Sequence, residues 1–255
     1  MHPIALQIGS FAIRWYGVMA AVGFLLGSWV IFHNKEAAGL DDDKCSGVLV
    51  TAMVAGIVGA RIFYVVQFFD HYRNNLFSIV RVDQGGLVFY GGFILSIISI
   101  AVYCKIYKID FFRLLDFFTP AIAIAHACGR IGCFLNGCCF GSPSKGVFSV
   151  TYPAGSEAQM RYPGCSVAPV QLFEAAENIV LFFVFYQLAR KTKRGVAVSC
   201  YFIAYGILRF INEYWRGDNP KIFGLFTPAQ IIGLILVPAG IASLIYFTRH
   251  ESKKS

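Results

Sequence analysis

Apolar residues in this chain come in long unbroken blocks, not in the alternating or one-sided patterns of soluble strands and helices. The blocks cover residues 15–32, 47–69, 85–104, 114–128, 167–188, 196–210 and 225–247. Most approach the roughly 20 residues that a helix needs to cross a hydrocarbon core. The fourth and sixth are short when cut at their charges, and both are read as continuing into the polar residues that follow. Short alternating segments with polar inward positions, the mark of a membrane β-barrel, are not seen. The pattern predicts an all-α polytopic membrane protein with about seven transmembrane helices.

Composition agrees. Of 255 residues, 57% are hydrophobic and 14% charged, against about a quarter charged in soluble domains. The mean hydropathy is +0.62. No repeat, linker or low-complexity tract interrupts the chain, so residues 1–255 read as a single membrane domain. The largest non-spanning stretch, about 130–166, carries scattered Gly, Pro and Ser and reads as a small outer lobe. The first block lacks a basic leader and a small-residue cleavage site, so it is read as a retained anchor.

The net charge of +8 admits a nucleic-acid partner, but its distribution gives a simpler account. With the amino terminus outside, 12 Lys and Arg residues fall on inside segments and 8 outside, leaving Arg61 and Arg209 within spans. The cluster Arg190, Lys191, Lys193 and Arg194 sits in one short loop and fixes the orientation most strongly. The expectation is an outside amino terminus, a cytoplasmic carboxyl terminus and no nucleic acid.

Ionisable residues within spans are costly and ask for a partner or a purpose. On this map Tyr16, Arg61, residues 85–90, Arg130, Asn136, Gln171, Glu174, Glu177, Arg209 and Glu213 all fall toward the outer side. Asp116, near the inner end of the fourth block, is the exception. A polar site facing the outer leaflet follows. Three arginines at one depth suit a phosphate-bearing ligand, because guanidinium makes bidentate, charge-assisted bonds and stays ionised when partly buried. Tyr205, Arg209 and Glu213 recur every four residues and share a helix face; a purely structural Arg209–Glu213 pair is the plainer reading. The glycine pairs Gly85-Gly86 and Gly91-Gly92 suit either helix packing or close approach to a headgroup.

Of eight cysteines, Cys45, Cys104 and Cys200 map to the inner side. Cys133, Cys138, Cys139 and Cys165 map near or outside the outer face, where disulfides persist. The run Cys128-x4-Cys133-x4-Cys138-Cys139 lacks the C-x2-C pairing and histidine spacing of common zinc sites. Packing thiols or a disulfide are expected there, and neither a metal nor a cofactor is read from the sequence.

Six short blocks, in order, match a known pattern. Residues 129–141, Gly-Arg-Ile-Gly-Cys-Phe-Leu-Asn-Gly-Cys-Cys-Phe-Gly, resemble the G-R-x-G-N-F-x-N-x-E-x-x-G signature of the prolipoprotein diacylglyceryl transferases. Ile13-Arg14-Trp15-Tyr16-Gly17 is similar to the family's I-R-W-Y-G, and Gly59-Ala60-Arg61 to its G-A-R. Gly85 to Gly92 resembles G-G-x-x-F-H-G-G, and Pro169 to Glu174 resembles the end of H-P-x-Q-L-Y-E. Tyr205 to Phe210 with Glu213 is similar to Y-G-x-x-R-F-x-x-E.

The resemblance implies a seven-helix enzyme of the bacterial inner membrane with its site facing the outer leaflet. Such enzymes move the diacylglyceryl group of phosphatidylglycerol to the thiol of a lipobox cysteine in a prolipoprotein signal peptide. A thioether forms and glycerol phosphate leaves. By the motif match Arg130 and Arg209 hold the phosphate, Tyr16, Asn136, Tyr205 and Glu213 line or support the site, and Gln171 and Glu174 shape its wall. Arg61, Gly85, Gly86 and Gly141 are further candidates for substrate contact.

Four motif positions depart from the pattern. Tyr90 and Ala168 stand where the family has histidine, Cys133 where it has asparagine, and Cys138 where it has glutamate. Tyrosine, with an ordinary pKa near 10, makes a weak general base. His126, four residues before Arg130, is a candidate replacement for the imidazole. Two readings stay open: the transferase, and a divergent lipid-binding or thiol-redox membrane protein of the same build. A transporter is weaker, because the polar residues gather on one side.

Overall fold

The computed structural model describes residues 3–9, 11–73, 75–81, 85–219 and 225–251. Lys221, Lys253 and Lys254 of the charge map lie outside them. Two short antiparallel strands, β1 (Ile4–Ile8) and β2 (Phe11–Arg14), lead into α1 (Trp15–His33). There follow α2 (Asp42–Gln67), two 3-10 turns (Phe69–His71 and Leu76–Val80), α3 (Phe89–Ile106) and α4 (Phe111–Asn136). A short α5 (Glu157–Arg161) precedes α6 (Val170–Lys191), α7 (Val196–Asn212) and α8 (Pro228–Glu251).

Six of these helices are long and apolar enough to cross a membrane, and α7, with 17 residues, is a shorter apolar helix. All seven hydrophobic blocks are therefore helical, and the chain is an all-α polytopic membrane protein. Large apolar side chains face outward as they do in lipid-facing helices: Leu25, Val66, Ile98, Val180 and Ile235 are each more than half exposed. The amino-terminal hairpin was not expected from the pattern. Its two strands pair with each other, and the backbone N–H of Trp15 donates to Pro3 O at 3.0 Å where the chain enters α1.

The chain folds as two compact units, one of residues 34–114 and one of the remainder. Within the first, Asp41 caps α2 by accepting the backbone N–H of Lys44 at 2.7 Å, so α2 begins five residues before its apolar block. Small residues let α2 and α3 touch along their backbones. A Cβ on Gly91 would lie 2.5 Å from the carbonyl oxygen of Gly59. The Ser96 hydroxyl donates to Ala52 O across the same contact at 2.9 Å.

In the second unit, α1 packs on α4 where Gly23 and Gly27 meet Ala125 and Ala121. Pro120 lies inside α4 and removes the N–H that would bond the carbonyl of Asp116. The Thr119 hydroxyl donates to that carbonyl instead, at 2.8 Å. The Asp116 carboxylate, fully buried, accepts the backbone N–H groups of Gly195 at 2.6 Å and Val198 at 2.9 Å. It thus supplies, from another helix, the cap that α7 lacks in its own sequence. Helix α7 packs on α8 through Gly206 and Gly233, with Ser199 and Ser243 hydroxyls 2.7 Å apart.

Between α4 and α6 the chain forms a small lobe on its own apolar cluster of Phe140, Tyr152, Ala158 and Val167. Reciprocal backbone bonds of 2.9 and 3.0 Å join Val150 to Val167. Residues 130–136, which the sequence pattern grouped with this lobe, form the last turns of α4.

Candidate active site

The polar residues singled out in α4, α6 and α7 converge on one buried carboxylate. Glu174, in the first turns of α6, is only 2% exposed. Its Oε2 lies 2.6 Å from Nε of Arg130 on α4. Its Oε1 lies 3.4 Å from a terminal nitrogen of Arg209 on α7 and 3.7 Å from one of Arg216. Arg209 also pairs with Glu213, one turn on, at 3.0 Å, which realises the helix-face spacing. Arg216 is held bidentately by Asp218, at 3.0 and 2.7 Å. The Asn219 side-chain amide donates to Glu213.

This is a network of three guanidiniums and three carboxylates, so little net charge is buried, as burial requires. Each guanidinium carries five N–H donors. A further anion with several acceptor oxygens can join such a network through donors that these contacts do not use. Glu174 fixes the separation of the arginines.

His126 stands one turn before Arg130, and its Nε2 accepts the Arg130 Nε–H at 3.1 Å. Its ring lies 5.6 Å from that of Tyr205. An imidazole whose Nε2 lone pair faces a guanidinium has that nitrogen engaged, so its geometry suits holding Arg130 in place. Tyr16, at the start of α1, lies against Gly132 of α4: a Cβ there would be 3.3 Å from Tyr16 Cα.

The end of α4 is built by a left-handed cap. Gly137 has φ +77, its N–H donates to Phe134 O at 3.3 Å, and the N–H of Cys138 donates to Cys133 O at 3.2 Å. This paired 5→2 and 6→1 pattern is a Schellman motif, which brings the second residue past the helix back over its last turn. Cys138 is thereby laid beside Cys133. Cys139 has φ +60, uncommon for a residue with a Cβ, and this second left-handed turn brings the third thiol in. The three sulfurs lie within 4.8 Å of one another. Thiols of Cys133 and Cys138 directed at Cys139, helped by Arg216 and Arg130, hold the Cys139 thiol well below its ordinary pKa despite burial. The Asn136 amide reaches the Cys138 sulfur at 3.5 Å.

Gln171, fully buried, donates to Cys138 O at 2.7 Å and to the Tyr152 hydroxyl at 2.9 Å, tying α6, the α4 cap and the lobe together. Gly141 sits where three backbone segments meet. Its N–H donates to Ala168 O at 3.0 Å, it bridges Arg216, and a Cβ there would be 2.5 Å from Ala168 O.

Arg61, Gly85, Gly86 and Tyr90 belong to the other unit. Arg61 is buried and donates to Ile79 O, Ser78 O and Gly85 O at 2.7 Å each and to Gly86 O at 3.1 Å. Four backbone carbonyls thus hold a guanidinium expected to face a ligand, and Arg61 works as a clamp on the connection into α3. Gly85 and Gly86, at φ +82 and +77, turn those carbonyls toward it. They precede α3 rather than open it. Tyr90 is 52% exposed at the start of α3.

Arg216, Asp218 and Tyr152 were not singled out by the motifs. Arg216 counted only as a loop charge, yet its side chain is 4% exposed. The available signal was its position seven residues after Arg209, nearly two helical turns on, within Arg-Gly-Asp. Cys139 appears in the sequence as one of several outer-face cysteines and as the end of the run whose spacing argues against a zinc site.

Helices long and apolar enough to cross a membrane, with a buried ion network where α4, α6 and α7 meet, define a polytopic membrane protein with a polar site built from three helices. A family profile described as prolipoprotein diacylglyceryl transferase matches residues 3–246. The chain is similar to the phosphatidylglycerol–prolipoprotein diacylglyceryl transferase of Clostridium botulinum strain Langeland, at 33% identity over 255 residues, covering 100% of this chain and 98% of the relative. The enzyme of that name from Finegoldia magna is 32% identical over 255 residues, covering 99% and 98%. That from Listeria monocytogenes serotype 4b is 32% identical over 249 residues, covering 96% and 90%. The chain belongs to the prolipoprotein diacylglyceryl transferase family, and so is a membrane transferase.

Proposed function

We propose that this chain transfers the diacylglyceryl group of phosphatidylglycerol to the thiol of a lipobox cysteine in a prolipoprotein. The acceptor sulfur attacks the glyceryl carbon that bears the phosphate ester. A carbon–sulfur bond forms, the carbon–oxygen bond breaks, glycerol phosphate leaves with the bonding electrons, and the thiol proton goes to solvent or a base. The observation that carries the reading is the convergence of Arg130 and Arg209 on Glu174 from three helices.

The phosphate of the lipid joins this cradle. Negative charge grows on the leaving oxygen during the transfer, and fixed guanidiniums near it lower the barrier by an amount they do not lend the ground state. Glu174 and Glu213 keep the two arginines from relaxing toward solvent. Tyr16, Asn136 and Tyr205 line the space around them, and Gln171 and Gly141 fix its wall. In keeping with the positive-inside distribution, the site faces the outer leaflet of the bacterial cytoplasmic membrane. The signal peptide of the acceptor approaches from within that leaflet.

The acceptor must be a thiolate, and a free thiol with pKa near 8.5 is only a few per cent ionised at neutral pH. With Tyr90 at the family's histidine position, the base is the least familiar part of the site. The second reading, a lipid-binding or thiol-redox protein, draws its support from the cysteine cluster.

Complementation of a strain depleted of its own transferase separates the two. Maturation of lipoproteins by the parent chain, lost in Arg130→Ala and Arg209→Ala, is the expected result. No maturation despite verified membrane insertion favours the second reading.

A further inference from the structure

The three thiols at the end of α4 are not needed by the phosphate cradle, and they are brought together by backbone geometry rather than by chance packing. The Schellman cap sets Cys138 over Cys133, and the left-handed Cys139 turns the third thiol toward the same point. All three sulfurs lie within 4.8 Å of one another, and among the described residues no His, Asp or Glu shares the cluster. A disulfide needs two sulfurs and leaves the third over. A tetrahedral zinc–thiolate site with bonds of about 2.3 Å sets its sulfurs about 3.8 Å apart, which the three side chains reach by small rotations.

We propose that Cys133, Cys138 and Cys139 bind a thiophilic closed-shell cation, zinc(II) or copper(I), through three thiolates. Soft sulfur donors select these ions over magnesium, calcium or manganese. Three thiolates with a divalent ion leave one negative charge, and Arg216 and Arg130 are the cationic neighbours of Cys139 that offset it. Binding releases any protons still carried by the three sulfurs. With three protein ligands, zinc keeps a fourth position open. That position suits the acceptor thiol, since a coordinated thiol is deprotonated without a separate base. This last step rests on the transferase reading; the metal site does not.

The test uses the full chain, purified in detergent without chelators. Elemental analysis is expected to find about one zinc or copper per chain after exposure to each ion in turn, the more tightly held identifying the occupant. Cys133→Ser, Cys138→Ser and Cys139→Ser each lower it to about a tenth or less, while Cys165→Ser, at an exposed thiol, leaves it unchanged. Helical content and monodispersity of each variant show that loss of metal is not loss of fold. Retention of metal by all three variants overturns the site, as does failure of the parent to take up either ion. A disulfide joining two of these cysteines, in protein isolated with its thiols blocked, also overturns it.

Cobalt(II)-loaded protein supplies the readout for the open position. Its sulfur-to-cobalt charge-transfer band is expected to strengthen with a lipobox peptide bearing cysteine and not with the serine peptide. An equal response to both overturns the role of the acceptor as fourth ligand while leaving the metal content to decide the site.

Discussion

The Nε of Arg130 lies 2.6 Å from Oε2 of Glu174, a bond that joins the end of α4 to the beginning of α6. An ion pair with side chains 12% and 3% exposed is a different object from a surface pair. Removing one partner strands the other charge in a poorly solvated place, at a cost of about 3–5 kcal/mol. Glu174→Gln is therefore expected to loosen Arg130 and Arg209 together. The expected loss of transfer rate is about 100-fold, the order seen when fixed donors to a developing oxyanion are removed. Single-turnover assays with labelled lipid measure it, and Arg130→Lys should recover little, since lysine lacks the planar fork.

His126 acts through Arg130 in this arrangement. His126→Ala is expected to lower kcat/KM by about tenfold, as loss of a group that orients a binding residue does. His126→Asn, which still offers an acceptor, recovers part of that. The pH profile of the variants keeps the shape of the parent's. Disappearance of its acid limb in His126→Ala would instead make the imidazole the base.

Asp116 is expected to matter for stability rather than chemistry. Its carboxylate receives the backbone N–H groups of Gly195 and Val198 at the start of α7, and charged hydrogen bonds of this kind contribute about 1.5–3 kcal/mol each. Asp116→Ala should lower the unfolding midpoint in detergent markedly, and Asp116→Asn less, because the amide oxygen replaces one acceptor.

The cap of α2 has a pH signature. The backbone N–H of Lys44, followed by its side chain, holds the exposed Asp41 carboxyl below its ordinary value of 3.8. A carboxylate with a depressed folded pKa lends stability that is complete above its unfolded pKa and is lost as pH falls through the folded one. The protection of the Lys44 amide, its exchange relative to an unstructured peptide at the same pH, is therefore expected to fall as pH drops below about 4, the ordinary carboxylate range. In Asp41→Asn the extra acid dependence is absent.

These helices were legible because lipid imposes a coarse rule. A run such as 47–69 has to be helical once no water is present to satisfy its backbone. Their ends followed other physics. Asp41 pulled the start of α2 back to Asp42, whereas Gly85 and Gly86, which open an apolar block, are left-handed and stay outside α3. Arg130, Glu174, Arg209 and Glu213 were legible as a set because their order along the chain matched a motif and their depth matched one another.

Other parts were not legible because they depend on where carbonyls point. Arg61 has the same residue type and a similar expected depth as Arg130, but four backbone oxygens surround it. Arg216 looked like a loop charge because its spacing from Arg209 is a weak signal once α7 ends at Asn212 and the chain leaves the helix. Cys133 and Cys138 are five residues apart, a spacing that argues against a shared ligand on a continuous helix. Only the reversal at Gly137 brings them together.

The capping of α7 by Asp116 has a further consequence for the arginine at the other end of that helix. A helix free to slip by one residue would rotate its side chains through about 100° and swing Arg209 away from Glu174. Asp116 grips the backbone at Gly195 and Val198, while Glu174 and Glu213 grip the side chain of Arg209. Helix α7 is thus indexed at both ends, like a shaft keyed in two bearings. Its angular setting is fixed before any lipid arrives.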